Sequence, residues 1–70
     1  MVRINDRDYP YRPGMPLREL AESHFSDIPK VDFEDFIVVV NSKAIHSSQA
    51  EERLLESGDA VFMAPKLDGG

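Results

Sequence analysis

Apolar and polar positions alternate through Val2-Arg3-Ile4-Asn5, which predicts a strand with one buried face. Asn5-Asp6 reads as a turn, and Tyr9-Pro10-Tyr11-Arg12 as the returning strand of a hairpin. Pro10 has no N–H to give a ladder, so this strand is expected at a sheet edge. The period then changes. Leu17, Leu20, Ala21 and His24 fall at i, i+3, i+4 and i+7, one face of a helix that turns Arg18, Glu19 and Glu22 elsewhere. Pro16 fits the first turn of that helix, where a missing N–H costs nothing, and the helix is expected to end near Phe25, before Pro29. In the first turn Arg18 opposes the helix dipole and Glu19 offsets it.

Residues 26–35 are mostly polar and read as a solvated loop. Phe36-Ile37-Val38-Val39-Val40 is a β-branched run, expected as a central strand covered on at least one face. Asn41-Ser42-Lys43 turns the chain into a short return strand at Ala44-Ile45. Ser48 followed by Glu51 has the spacing of a capping box that starts a helical turn, with Leu54 and Leu55 packing beneath it. Ser57-Gly58-Asp59 is a tight turn, with Gly58 free to take positive φ. Residues 60–64 make the last strand, and Pro65 is expected to end regular pairing. The order β-β-α-β-(short β)-β describes an α+β domain, one helix on one mixed sheet.

Seventy residues make one small domain, which buries only about 60% of the surface its unfolded chain exposes. With no cysteine, disulfides, thiolate zinc sites and persulfide chemistry on the chain's own side chains are excluded. Thirteen acidic against eight basic side chains give a net charge of −5, which disfavours nucleic acid and anionic lipid as partners and favours a basic groove on another protein. The longest apolar run, residues 36–40, is too short to cross a bilayer, and no signal-like segment follows Met1, so a cytoplasmic location is expected.

Catalytic constellations are equally scarce. His24 and His46 lie in different elements, and Ser47-Ser48 beside His46 is no triad by spacing alone. Asp32, Glu34 and Asp35 offer too few ligands at defined spacing for an oxygen-bound cation, so no metal is expected. The glycines are Gly14, Gly58, Gly69 and Gly70, and none builds a phosphate loop. The sequence therefore gives no support to an enzyme or to a bound cofactor. One reactive group remains, the Gly70 carboxylate at the end of Leu67-Asp68-Gly69-Gly70. Two closing glycines occur by chance in roughly one chain in 200. An ATP-using partner can convert such a carboxylate into an acyl-adenylate, and a sulfur nucleophile can then displace AMP to leave a thiocarboxylate. Backbone without Cβ suits a narrow channel toward the nucleotide.

These residues resemble the ThiS/MoaD family of sulfur carriers. The likeness runs through Val38-Val39-Val40-Asn41-Ser42-Lys43-Ala44-Ile45, Leu55-Glu56-Ser57-Gly58-Asp59-Ala60-Val61 and the Gly69-Gly70 end, with the N-terminal strand and Gly14-Met15-Pro16-Leu17 similar as well. It implies a ubiquitin-like β-grasp fold, a mixed sheet of four to five strands packed on one helix, spanning residues 1–66, with 67–70 a flexible Gly-Gly tail. It also implies a protein that is no enzyme but the co-substrate of an E1-like adenylyltransferase. That enzyme uses ATP, a sulfur donor such as a cysteine desulfurase supplies sulfur at Gly70, and a sulfur-accepting synthase receives it. Gly69 and Gly70 match the family's terminal pair, and Leu67 its aliphatic residue three positions before the end.

Asp68 departs from the small residue more common in the family, Pro16 from a Thr helix cap, and Lys66 from one proline of a MoaD-like Pro-Pro. The short chain and the register from Val39 to Ile45 lean toward ThiS, hence toward the thiazole of thiamine. Molybdopterin and amino-acid sulfur carriers, and ubiquitin-like modifiers joined to lysine through an isopeptide bond, share the pattern. Alternation in the last strand sets Val61 and Met63 on one side and Phe62 on the other. With Val61 and Met63 against the helix, Phe62 becomes an exposed anchor for a partner; the other reading has Phe62 covering the sheet or packed beneath a loop.

Overall fold

The computed structural model describes residues 1–67. Asp68, Gly69 and Gly70, on which the adenylation-site and most of the tail assignments fall, lie outside the described residues. Strand β1 (Val2–Ile4) and strand β2 (Arg7–Tyr9) form an antiparallel hairpin in which Ile4 pairs with Arg7. The connection is only Asn5-Asp6, with Asn5 at φ 56°, the left-handed region that Asn tolerates better than most residues. Such a tight turn starts the return at Arg7, so Pro10 falls beyond the strand instead of within it. The strand is an edge strand, as expected, but it is shifted toward the N-terminus.

Helix α1 (Leu17–His24) buries Leu17, Leu20 and Ala21. Pro16 is its N-cap, at ψ 150°, and not its first helical residue. Phe25 closes the helix with its N–H on the Ala21 carbonyl, so the end expected near Phe25 holds. The loop that follows is not simply solvated. Val31 and Phe33 are fully buried, and Phe33–Asp35 forms a 3₁₀ turn opened by the Asp32 carboxylate, which accepts from the Glu34 N–H at 3.0 Å. Two apolar side chains among polar neighbours have no helical or strand period to announce them.

Strand β3 (Phe36–Val40) meets strand β4 (Lys43–Ile45) through Asn41-Ser42, both at positive φ (51° and 70°), the twist that a two-residue hairpin favours. The N-cap of helix α2 (Ser47–Glu52) is His46, two residues before the expected cap. His46 Nδ1 accepts from the Ser48 N–H, and Gln49 Oε1 accepts from the His46 N–H at 2.8 Å, so His46 and Gln49 make the capping box assigned above to Ser48 and Glu51. Of the leucines placed beneath it, Leu55 is buried but Leu54 is exposed. The Leu54 backbone instead bridges Pro16, and the flanking Leu17 and Leu55 N–H groups donate to the Arg53 and Met15 carbonyls.

Strand β5 (Ala60–Pro65) follows the turn at Gly58, whose φ of 89° only glycine adopts freely. Pro65 does not end the pairing, since it lies opposite Phe36 and the Lys66 N–H donates to the Asp35 carbonyl at 2.8 Å. Proline gives up its own N–H without loss here because β5 has a neighbour on only one side at this point.

The five strands run in the order β2-β1-β5-β3-β4, with β1 and β5 parallel and the other pairs antiparallel. This is the mixed sheet of a β-grasp-like α+β fold, with one main helix against one face. Val2 and Ile4 from β1, Val38 and Val40 from β3, and Val61 and Met63 from β5 meet Leu17, Leu20, Ala21 and Phe33 in a single core. Arg18 holds the helical layer together. It donates to Glu51 on α2 and to the Val31 carbonyl, and its guanidinium stacks over Phe33 with its carbon 5.0 Å from the ring centre. No helix of the described residues is long and apolar enough to cross a membrane.

Candidate functional site

The candidate site is built where β5 leaves the sheet. At Val61 the strand has neighbours on both sides, Ile4 of β1 and Val40 of β3. The backbone of β1 turns away after Ile4, and the side chain of Asn5 continues its ladder: the Asn5 N–H donates to the Val61 carbonyl at 2.7 Å and Asn5 Oδ1 accepts from the Met63 N–H at 2.9 Å. Beyond Met63 only β3 and the residue before it hold the strand, through Phe36–Pro65 and Asp35–Lys66. Leu67 is then 97% exposed, so its side chain touches almost nothing of its own domain. Glu34, Asp35, Pro65, Lys66 and Leu67 line an open cavity of about 450 Å³ at this point. Among the described residues its charges are two carboxylates and one ammonium.

Beside this exit lies an apolar surface. Val61 and Met63 point into the core, each 2% exposed, and Phe62 points outward at 52%. Phe62 is thus half-exposed on the open face of the sheet, and no loop of the described residues buries it. Its cross-strand partner Val39 shares that face, as do Ala64 and its partner Ile37, which is 50% exposed. Ile37 was not singled out by sequence, because Phe36 to Val40 looks uniformly apolar. The signal was present in register: once Phe36 is inside, Ile37 must be outside.

At the far end of the sheet a buried carboxylate anchors three segments. Asp59 is 5% exposed and accepts from the Glu56 N–H at 2.8 Å, from Asn41 Nδ2 at 2.9 Å and from Arg53 Nη2 at 3.2 Å. Burial alone pushes this carboxyl up, but the Glu56 N–H, the Asn41 amide and the Arg53 guanidinium together outweigh it and hold it below the ordinary value. Asn41 also accepts from the Ala60 N–H, so one side chain joins the β3–β4 turn to the start of β5. Nothing in the sequence distinguished Asp59 from a turn residue.

The two histidines have structural partners. Met63's N–H fixes Asn5 Oδ1, which leaves Asn5 Nδ2 to face His24 Nε2 at 3.4 Å, while His24 Nδ1 lies 3.2 Å from the Tyr9 hydroxyl. His46 Nδ1 is engaged as the cap of α2. Among the described residues no group of three or more His, Asp or Glu could hold a metal ion.

No family model, curated protein or solved structure matches this chain.

Proposed function

We propose that the chain is a sulfur carrier whose Gly70 carboxylate is adenylated and then converted to a thiocarboxylate. The observation that carries this reading is the exit of β5. A strand anchored in the sheet leads through Lys66 into a fully exposed Leu67, next to an apolar face centred on Phe62 and three residues before Gly70. A partner that grips Phe62 and Ile37 has the following segment within reach, and side-chain-free Gly69 and Gly70 fit a channel that larger residues would block.

In the reaction, a Gly70 carboxylate oxygen attacks the α-phosphate of ATP held by an E1-like adenylyltransferase, and pyrophosphate leaves. A persulfide from a donor such as a cysteine desulfurase then adds its terminal sulfur to the acyl carbon as AMP leaves, and a thiol reductant cleaves the S–S bond of the acyl disulfide to release the thiocarboxylate. The carrier contributes presentation and no catalytic side chain. A sulfur-accepting synthase takes the product, with the thiazole of thiamine as the first pathway to test.

Incubation with a thiazole-pathway E1-like enzyme, ATP and a sulfur donor tests the reading by intact mass. The expected product differs by one oxygen replaced with sulfur, located at Gly70, and a variant lacking Gly69 and Gly70 stays unchanged. The reading requires Gly70 to carry the free carboxylate, which the mass of the starting protein establishes first. Unchanged mass with that enzyme and with E1-like enzymes of the molybdopterin and amino-acid pathways would remove the sulfur-carrier reading. Higher-mass lysine conjugates that depend on Gly70 would replace it with a protein modifier.

A further inference from the structure

A second cavity, of about 380 Å³, lies between the β3–β4 hairpin and helix α2. It sits at the Val40 end of β3, whereas the exit of β5 is at the Phe36 end. Four residues of strand separate the two ends, about 13 Å at 3.3 Å per residue. Val40, Ala44 and Ile45 supply its apolar wall, and Lys43, Gln49 and Arg53 its polar one.

The polar groups are one-sided. Gln49 Oε1 is engaged by the His46 N–H, which leaves its amide nitrogen as a donor. Asn41, also on the wall, has its Nδ2 on Asp59 and its Oδ1 on the Ala60 N–H. Lys43 makes no ion pair among the described residues. Arg53 gives one Nη2 bond to Asp59, and its Nε is buried without a hydrogen-bond partner among the described residues. Among the described residues no Asp or Glu lines the cavity. In a chain of net charge −5, this is a pocket whose unengaged side-chain groups are all donors.

The wall is also well fixed. Arg53 donates its own N–H to the Ala50 carbonyl, and its carbonyl accepts from the Leu17 N–H at 2.9 Å, which ties the residue to both helices. Lys43 and Ala44 lie on β4, in register with Val40 and Val39.

We propose that this cavity binds a carboxylate carried on a short aliphatic body. Lys43 and Arg53 against Asp59 leave one net positive charge, which matches a monoanion and not a phosphate dianion. The Lys43 ammonium and the part of the Arg53 guanidinium not held by Asp59 suit a carboxylate, with the buried Arg53 Nε out of a ligand's reach, and Val40, Ala44 and Ile45 suit the methylenes behind it. A free aliphatic acid and the glutamate side chain of a partner protein both have this chemistry.

NMR titration of the isotope-labelled full chain at constant ionic strength tests the site, with butyrate, N-acetyl-glutamate methylamide and neutral butyramide as probes. Saturable shifts at Lys43, Ala44, the Gln49 amide and the Arg53 guanidinium are expected with a carboxylate and absent with butyramide. Tighter binding of butyrate assigns a free acid, and tighter binding of the blocked glutamate assigns a partner's side chain. Lys43→Met, at an exposed position, should weaken binding about fivefold while the folded spectrum is retained. Linear shifts with both acids, equal shifts with butyramide, displacement by inorganic phosphate at lower concentration, or unchanged affinity in Lys43→Met would each overturn the proposal.

Discussion

Removing the Asp59 carboxylate is the sharpest test of how this fold is held. Asp59→Ala deletes the acceptor for three donors: the Glu56 N–H, the Asn41 amide and the Arg53 guanidinium. A buried donor left without a partner costs about 1–3 kcal/mol. All three bonds are only part-buried, so each freed donor recovers some water and costs about 1 kcal/mol, the low end of that range. The sum is about 3 kcal/mol. A chain of this length has roughly 4–10 kcal/mol of stability in total, so the midpoint of thermal unfolding should fall by about 10–20 °C. Asp59→Asn retains one acceptor and turns an amide toward Asn41 or Arg53, and should cost about half as much. The pH dependence follows from the lowered carboxyl. The native state holds the ionised form more firmly than the unfolded chain does. The stabilisation is therefore complete above the unfolded value of about 3.9 and is lost as the pH falls through the lower native value. Urea unfolding of wild type and Asp59→Asn at pH 7 and pH 2.5 gives the answer: the gap between them should narrow in acid. A loss below about 0.5 kcal/mol in Asp59→Ala, or a gap unchanged at pH 2.5, would refute the assignment of Asp59 as an ionised anchor.

Phe62→Ala should cost only about 1 kcal/mol in urea unfolding, because about half the ring is already in water, yet, under the proposed function, weaken binding to an E1-like adenylating enzyme by tenfold or more; calorimetric titration measures the second effect. Equal binding with a large loss of stability would count against a docking role. Gly58→Ala should cost about 1–2 kcal/mol from its φ of 89° alone, since no atom lies within 4 Å of the added methyl, and Gly58→Asn should cost less in the same assay. Leu20→Ala leaves a cavity at a fully buried position and should lose about 2–5 kcal/mol, enough to unfold much of the population by circular dichroism.

The fold was legible wherever a period survived long enough to set a face. Leu17, Leu20 and Ala21 gave helix α1 its buried side, and Val61 and Met63 against Phe62 gave β5 its two faces, all with no tertiary information. Where the expectations fell short, either a local turn or strand end shifted an element, or a partner far along the chain decided the outcome. Asn41 and Ser42 were read as a turn, but the bond from Asn41 to Ala60, nineteen residues on, has no local signature. His46 displaced Ser48 as the cap of α2 because β4 already ends at Ile45, and the first free N–H groups lie immediately after it. Phe33 lies among charged residues, and it is buried because the Arg18 guanidinium, fifteen positions earlier, covers its ring.

The same division explains what could be read of the candidate site. Alternation alone could set Phe62 opposite Val61 and Met63, because that depends on its own strand, but which side is open came from the structure. What limits the exit of β5 could not be read, because it is set by where β1 stops. Asn5 must turn the chain at φ 56° and in the same place supply the acceptor that the Met63 N–H needs. A residue that could do only the first, such as glycine, would leave that N–H without its acceptor. The strand would then lose its last tie to β1 two residues before Pro65. Asn5 is thus the point at which a hairpin turn, written locally, controls how firmly the segment leading to Leu67 is held, and that control is visible only once both strands are in register.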